Sequence, residues 1–162
     1  MGQQDLSELN KTLGEMIARA ANPTPALNEI GQMMVGEMKK NIQVGGRPSS
    51  WPQSIRARVK GGETLRDSGT LMNSMRFATG ASSVAAGPTA VGREKKSDPR
   101  IFGILAFGGT IKAKNKPFLR FRVPGLGFVS KKEVTIPGRD FTFMPEDAQR
   151  TFGEIVQQYV NG

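Results

Sequence analysis

Apolar residues at spacings of three and four open the chain. Leu6, Leu9, Leu13, Met16, Ile17 and Ala20 share one face over residues 4–20, which predicts an amphipathic helix. Gly14 lies in its middle and weakens it by up to about 1 kcal/mol relative to alanine. "NPTPA" at 22–26 breaks the pattern, and Asn22 or Thr24 is placed to cap a second helix with the following proline in its first turn. Leu27, Ile30, Met34, Met38 and Ile42, broadened by Met33, predict that helix over 25–43, and "VGG" at 44–46 ends it. Two helices of similar length suit an antiparallel hairpin. The methionine-rich stripe reads as core, with an adaptable partner groove as the alternative.

The periodicity is then lost. Residues 45–66, "GGRPSSWPQSIRARVKGGETLR", hold two glycine pairs, two prolines and four arginines, and predict a long loop with one short helix near 52–58. A loop of this length in a compact domain is commonly functional. Trp51, the only tryptophan, either anchors the loop on the core or fills a partner's pocket. "TLRDSGTLMNSMRF" at 64–77 follows. Asp67 or Ser68 is placed to accept a backbone N–H at a helix start, Gly69 leaves room there, and Leu71, Met72 and Met75 face inward over a short helix at 68–75.

Small and β-branched residues with glycine punctuation predict a hairpin, with strands near 75–80 and 83–87. "GREKKSDPR" at 92–100 is a charged loop. "DPRIFGILAFGG" at 98–109 fits either a short helix stopped by Gly108-Gly109 or a buried strand. In "TIKAKNKPFLRFRVP" at 110–124, Leu119, Phe121 and Val123 alternate with Phe118, Arg120 and Arg122, the pattern of a strand with one basic face. A second strand or hairpin is expected over 126–136, turning at Pro137-Gly138. A helix over 145–160 closes the chain. Pro145, Glu146 and Asp147 suit its start, and Phe152, Ile155, Val156 and Tyr159 form its buried stripe.

The pattern therefore predicts an α+β fold, a small antiparallel or mixed sheet packed by an N-terminal helix pair and a C-terminal helix. With 162 residues we expect a single domain: helices over 1–44, the loop over 45–66, a short helix and sheet region over 67–144, and the last helix over 145–162. There is no apolar run of membrane-spanning length, and the opening residues lack the basic-then-apolar layout of a secretion signal. The expectation is a soluble protein with no membrane partner, acting inside the cell or inside a particle built there.

Charge changes the picture. The net charge is +9, but residues 45–132 hold 17 of the 23 Lys and Arg and only 4 of the 14 Asp and Glu. A basic middle between acidic ends suits a polyanion or an acidic partner surface, or simply a solvated face. Arg93, Lys95, Lys96, Lys112, Lys114, Lys116, Arg120 and Arg122 are the residues expected to face DNA or such a partner. "KPFLRFR" interleaves aromatics and arginines as some single-strand binders do, and a half-buried strand gives the same pattern.

The chemistry available for catalysis is thin. With no cysteine and no histidine, disulfides, thiolate metal sites and the commonest general base are excluded. Glu63, Asp67, Glu94 and Asp98 are scattered through loops without an acid–base pairing, and "GPTAVGREKK" has the wrong order for a phosphate-binding loop. We expect no enzyme and no cofactor.

Taken together, four segments carry a resemblance. "LRDSGTLMNSM" at 65–75 resembles the Leu-x-Asp-Thr/Ser-Gly-x-Leu-x-x-Ser signature of the phage virion morphogenesis, or tail-completion, family, with Leu65, Asp67, Ser68, Gly69, Leu71 and Ser74 matching. "SWPQSIRARV" at 50–59 looks like its Trp-Pro segment, "AFGGTIK" at 106–112 resembles its Phe-Gly-Gly turn, and "IPGRDF" at 136–141 resembles its Ile-Pro-Ala-Arg-Pro-Phe segment. The departures are Gly138 and Asp140, where the family usually has alanine and proline. The resemblance implies a structural subunit that completes a tail and joins it to a filled head, as a tail terminator or neck component. It implies assembly in the host cytoplasm into a ring, a hexamer matching tail symmetry, within the tail–neck region of the virion. Its implied partners are itself, tail-tube and connector proteins, and packaged DNA in passing. Trp51, Asp67, Ser68, Gly69, Leu71, Phe107, Gly108, Gly109, Arg139 and Phe141 are then the interface candidates. The alternative is a basic nucleic-acid-binding protein.

Overall fold

A computed structural model describes residues 2–89, 100–123, 125 and 127–162. Among these residues the order is α1 (Gly2–Ala21), α2 (Thr24–Val44), α3 (Ile55–Lys60), α4 (Thr70–Ser74), β1 (Met75–Thr79), β2 (Val84–Pro88), α5 (Arg100–Phe107), β3 (Gly109–Lys112), β4 (Leu119–Val123), β5 (Gly127–Lys131), β6 (Glu133–Ile136) and α6 (Glu146–Asn161). The fold is α+β. The described strands do not form one sheet but three two-stranded ones, β1–β2, β3–β6 and β4–β5.

The chain divides into two compact units. One comprises residues 1–36, 77–86 and 144–162; the other comprises 37–76 and 87–143. The first unit is helical. Ala26 and Ile30 of α2 meet Ile155 of α6 in its core, with Met33, Met34, Val84, Phe152 and Tyr159 packed around them. Gly31 leaves α2 without a side chain where the Phe77 ring lies against it, so the helix approaches that ring as only glycine permits. Near its end α1 is tied down by hydrogen bonds. Arg19 Nη1 donates to the Val160 carbonyl at 3.3 Å, and the Tyr159 hydroxyl donates to the Asn22 carbonyl at 2.8 Å.

The second unit is pinned by Asn41, which is fully buried on the last turns of α2. Its Nδ2 donates to the carbonyls of Phe141 (2.9 Å) and Phe143 (2.7 Å), and its Oδ1 accepts from Arg47 Nε (2.6 Å). Such a fully bonded buried amide fixes three chain segments at once. The Arg47 guanidinium also reaches Glu37 Oε2 at 2.6 Å. That oxygen has no well-directed hydrogen bond, so the contact is an ion pair and not an aligned bond. In the sheets, β3 runs antiparallel to β6 with Gly109 opposite Ile136, and β4 antiparallel to β5 with Leu119 opposite Lys131.

The apolar stripe of α1 is largely exposed: Leu6, Leu9, Leu13 and Ile17 are 60, 53, 46 and 69 % exposed. Two expectations need correction. The 126–136 segment is neither one strand nor a hairpin. β5 and β6 are adjacent in sequence yet pair with different partners, β4 and β3. Val156 of α6 is exposed, while Phe152, Ile155 and Tyr159 turn inward as expected. The ambiguous 98–109 segment resolves as a helix, α5.

Candidate assembly surfaces

The loop after α2 is bonded to itself. Trp51 N–H donates to the Gly45 carbonyl at 2.7 Å, and the indole lies against Gly46. Ser54 caps α3, its Oγ accepting the Ala57 N–H at 3.1 Å, while Ser54 N–H donates to the Oγ1 of buried Thr64 at 3.0 Å. Arg56 closes the return: Nη2 donates to the carbonyls of Glu63 (2.6 Å) and Arg66 (3.1 Å), and Nη1 pairs with Asp67 Oδ1 at 3.3 Å. Glu63 and Arg66 form a further ion pair. Leu65 sits between them with φ +63°, an unusual conformation for a leucine that this bonding holds in place.

Of the two residues expected to accept a backbone N–H at the start of α4, Asp67 therefore does not, whereas Ser68 does, from Thr70. The capping residue is Gly69, at φ +74°, with no side-chain cap bond. Ser68 Oγ is within 3.4 Å of the Thr70 N–H and 2.6 Å of its hydroxyl. The physical reason is competition: the Arg56 guanidinium offers the Asp67 carboxylate a charged partner, whereas a helix of one turn offers little dipole. Leu71 is half-buried beneath, and Met75 fully buried.

The Phe-Gly-Gly turn and the Ile-Pro-Gly-Arg-Asp-Phe segment meet. Gly108 has φ +76°, and a Cβ on it would lie 2.6 Å from Gly138 N; one on Gly138 would lie 2.9 Å from the Phe107 carbonyl carbon. Arg139 N–H donates to the carbonyls of Leu105 (3.0 Å) and Ala106 (2.8 Å). Its side chain is buried, with Nε donating to Pro52 O at 3.1 Å and Nη1 to Pro137 O at 3.4 Å. Burial pushes the guanidinium below its ordinary pKa. Phe141 is 1 % exposed, whereas Phe107 projects at 76 %. Gly109 opens β3. Of these candidates Arg139 and Phe141 lie inside their own unit, and Phe107 lies on its surface.

The basic candidates separate in a similar way. Lys112 faces Glu133 across the β3–β6 pair at 3.6 Å. Lys114 and Lys116 are exposed in the turn beyond β3, and Arg120 and Arg122 alternate outward from β4. Arg120 stacks over the exposed Phe128 ring, 4.9 Å from its centre. Arg93, Lys95 and Lys96 lie outside the described residues.

The residues that sequence reading missed form a groove. Ile55 and Val59 of α3, Phe121 and Val123 of β4, Val129 of β5 and Val134 of β6 line an open hollow of about 670 Å³, edged by Arg58, Lys131 and Glu133. An adjoining hollow of about 560 Å³ shares Ile55, Arg58, Val134 and Thr135 and runs on to Arg139. Ile55 and Val59 stand four apart on one helix face, and Phe121, Val129 and Val134 sit at alternating strand positions. Those signals were present, but not the pairing that joins them.

Among the described residues no group of three or more carboxylates is placed to hold a metal ion. No described helix is long and apolar enough to cross a membrane. What the described surface offers is apolar and basic contact area. The phage virion morphogenesis family matches residues 4–161, and the chain belongs to that family. Its role is accordingly structural, in the making of a phage particle. Searches of curated proteins and of solved structures gave no match.

Proposed function

We propose that this chain is a non-enzymatic ring subunit that completes the phage tail and joins it to the head. The carrying observation is the balance of its apolar residues. Among the described residues thirteen large apolar side chains are exposed, against eleven buried hydrophobic residues of which four are alanines. Single exposed apolar residues are ordinary, but here four share one line of α1 and two, Ile55 and Val59, line the groove, while Phe107 and Phe128 project at 76 and 69 %. A subunit left this apolar alone gains its remaining burial from copies of itself and from neighbouring tail-tube and connector proteins. In a ring the contacts join different faces of identical chains, and a hexamer matches tail symmetry. Packaged DNA passing through the ring would meet the exposed Lys114, Lys116, Arg120 and Arg122 without sequence reading.

The test is imaging of particles made with the gene deleted. Filled heads beside separate tails, finished or overlong, are expected. Normally joined particles would remove the proposal.

A further inference from the structure

We propose that the leucine stripe of α1 seats in the α3–β4–β5–β6 groove of a second copy of the chain. This rests on the ring reading and names its contact. Three observations carry it.

The first is the stripe itself. Leu6, Leu9, Leu13 and Ile17 fall on one line of α1 and are about half exposed or more. Their spacing is that of a helix laying anchors into an apolar groove. The second is the receptor. The groove is open, lined chiefly by aliphatic side chains and Phe121, and prolonged by the adjoining hollow toward Arg139, an extended shape that suits a helix better than a compact ligand.

The third is charge, and it selects the occupant. The unit that carries α1 has three basic and seven acidic residues, a net −4; the unit that carries the groove has twenty and seven, a net +13. Bringing α1 of one copy to the groove of another joins opposite potentials. Pairing stripe with stripe would join two acidic units, and groove with groove two strongly basic ones. Complementarity therefore favours a head-to-tail contact, which propagates from copy to copy and closes when the rotation allows.

The chain lacks cysteine, so introduced thiols report contacts without background. The full chain carrying both Leu13→Cys and Val59→Cys, oxidised after assembly, is expected to give a ladder of covalent multimers on a non-reducing gel. Leu13→Cys alone and Val59→Cys alone should stay monomeric. Leu9→Glu should weaken self-association by about 30-fold or more in sedimentation, as loss of one anchor does. Its far-UV circular dichroism should not change, because Leu9 is exposed within its own chain. Dimers from Leu13→Cys alone would mean a stripe-to-stripe contact and overturn the seat. A wild-type chain that forms rings, with Leu9→Glu forming them equally well, would overturn the seat and leave the ring. A wild-type chain that stays monomeric at every concentration and in particles would remove the ring reading itself.

Discussion

Arg139 and Asp67 show how single side chains in suggestive motifs come to build the subunit. Asp67 has the position of a helix cap but pairs with Arg56, and so closes the loop before α4. Arg139 looks like a surface cation in "IPGRDF", yet it is buried and bonded to two proline carbonyls. Proline supplies no N–H, and these carbonyls lie in segments with no strand partner, so the guanidinium fork satisfies acceptors that little else reaches. Replacing it leaves them unpaired. Arg139→Met should cost about 2–4 kcal/mol in urea unfolding, the loss of charged bonds plus the stranded acceptors. Arg139→Lys should recover little of this, because an ammonium cannot span both directions. The pH dependence has a definite sign. Burial lowers the folded pKa of the guanidinium, so the fold disfavours its charged form, and stability would rise only as pH climbs from that lowered pKa toward the ordinary, unfolded value. Arginine stays protonated through neutral pH, so the Arg139→Met difference should be flat between about pH 5 and 9.

Two glycines separate local propensity from packing at the scale of elements. Gly14 is in the interior of α1 with nothing within 4 Å of an added Cβ, whereas Gly138 lies against the Phe107 carbonyl at the junction of two turns. Gly14→Ala should raise the thermal midpoint by about 2–4 °C, the helix gaining up to roughly 1 kcal/mol. Gly138→Ala should lower it by more, since a backbone atom and not a flexible side chain must give way, at roughly 1–3 kcal/mol. Equal effects from the two would show that the junction is looser than its distances. The same contrast explains what was legible in the sequence. Elements whose pattern is local were readable: α2, α6, the β1–β2 strands and the alternation of β4. Strand pairing was not, because nothing in "FVSKKEVTI" shows that β5 goes to β4 and β6 to β3. Nor was the destination of the α1 stripe. Periodicity shows that Leu6, Leu9, Leu13 and Ile17 share a face, but an apolar face looks the same whether its partner is in its own chain or in another. The groove was hidden for the first of these reasons and the cap at Gly69 for a third: Arg56, eleven residues away in sequence, outcompetes a one-turn helix for Asp67.

The whole molecule is an acidic unit and a basic unit on one chain, and this division makes its two possible polyanion-like partners distinguishable. DNA binding would rest on phosphate contacts by residues such as Lys114, Lys116, Arg120 and Arg122, each releasing counterions. Six such contacts lose about a thousandfold in affinity between 50 and 200 mM salt. Self-association through the α1 seat rests chiefly on apolar burial, which salt does not screen, with the opposite net charges steering the approach. Raising salt over the same range should therefore slow assembly but weaken its equilibrium by less than about tenfold. Light scattering of the wild-type chain and fluorescence anisotropy of a labelled duplex, taken in the same buffers, give both curves. The expected result is a shallow slope for assembly and a steep one for DNA, with duplex binding lost by about 200 mM salt. If assembly collapsed as steeply as DNA binding, the contact would be ionic and the apolar seat would be wrong. If duplex binding persisted with a shallow slope, the β4–β5 face with its stacked Arg120 and Phe128 would be gripping bases and not only phosphates, and the runner-up reading would take precedence.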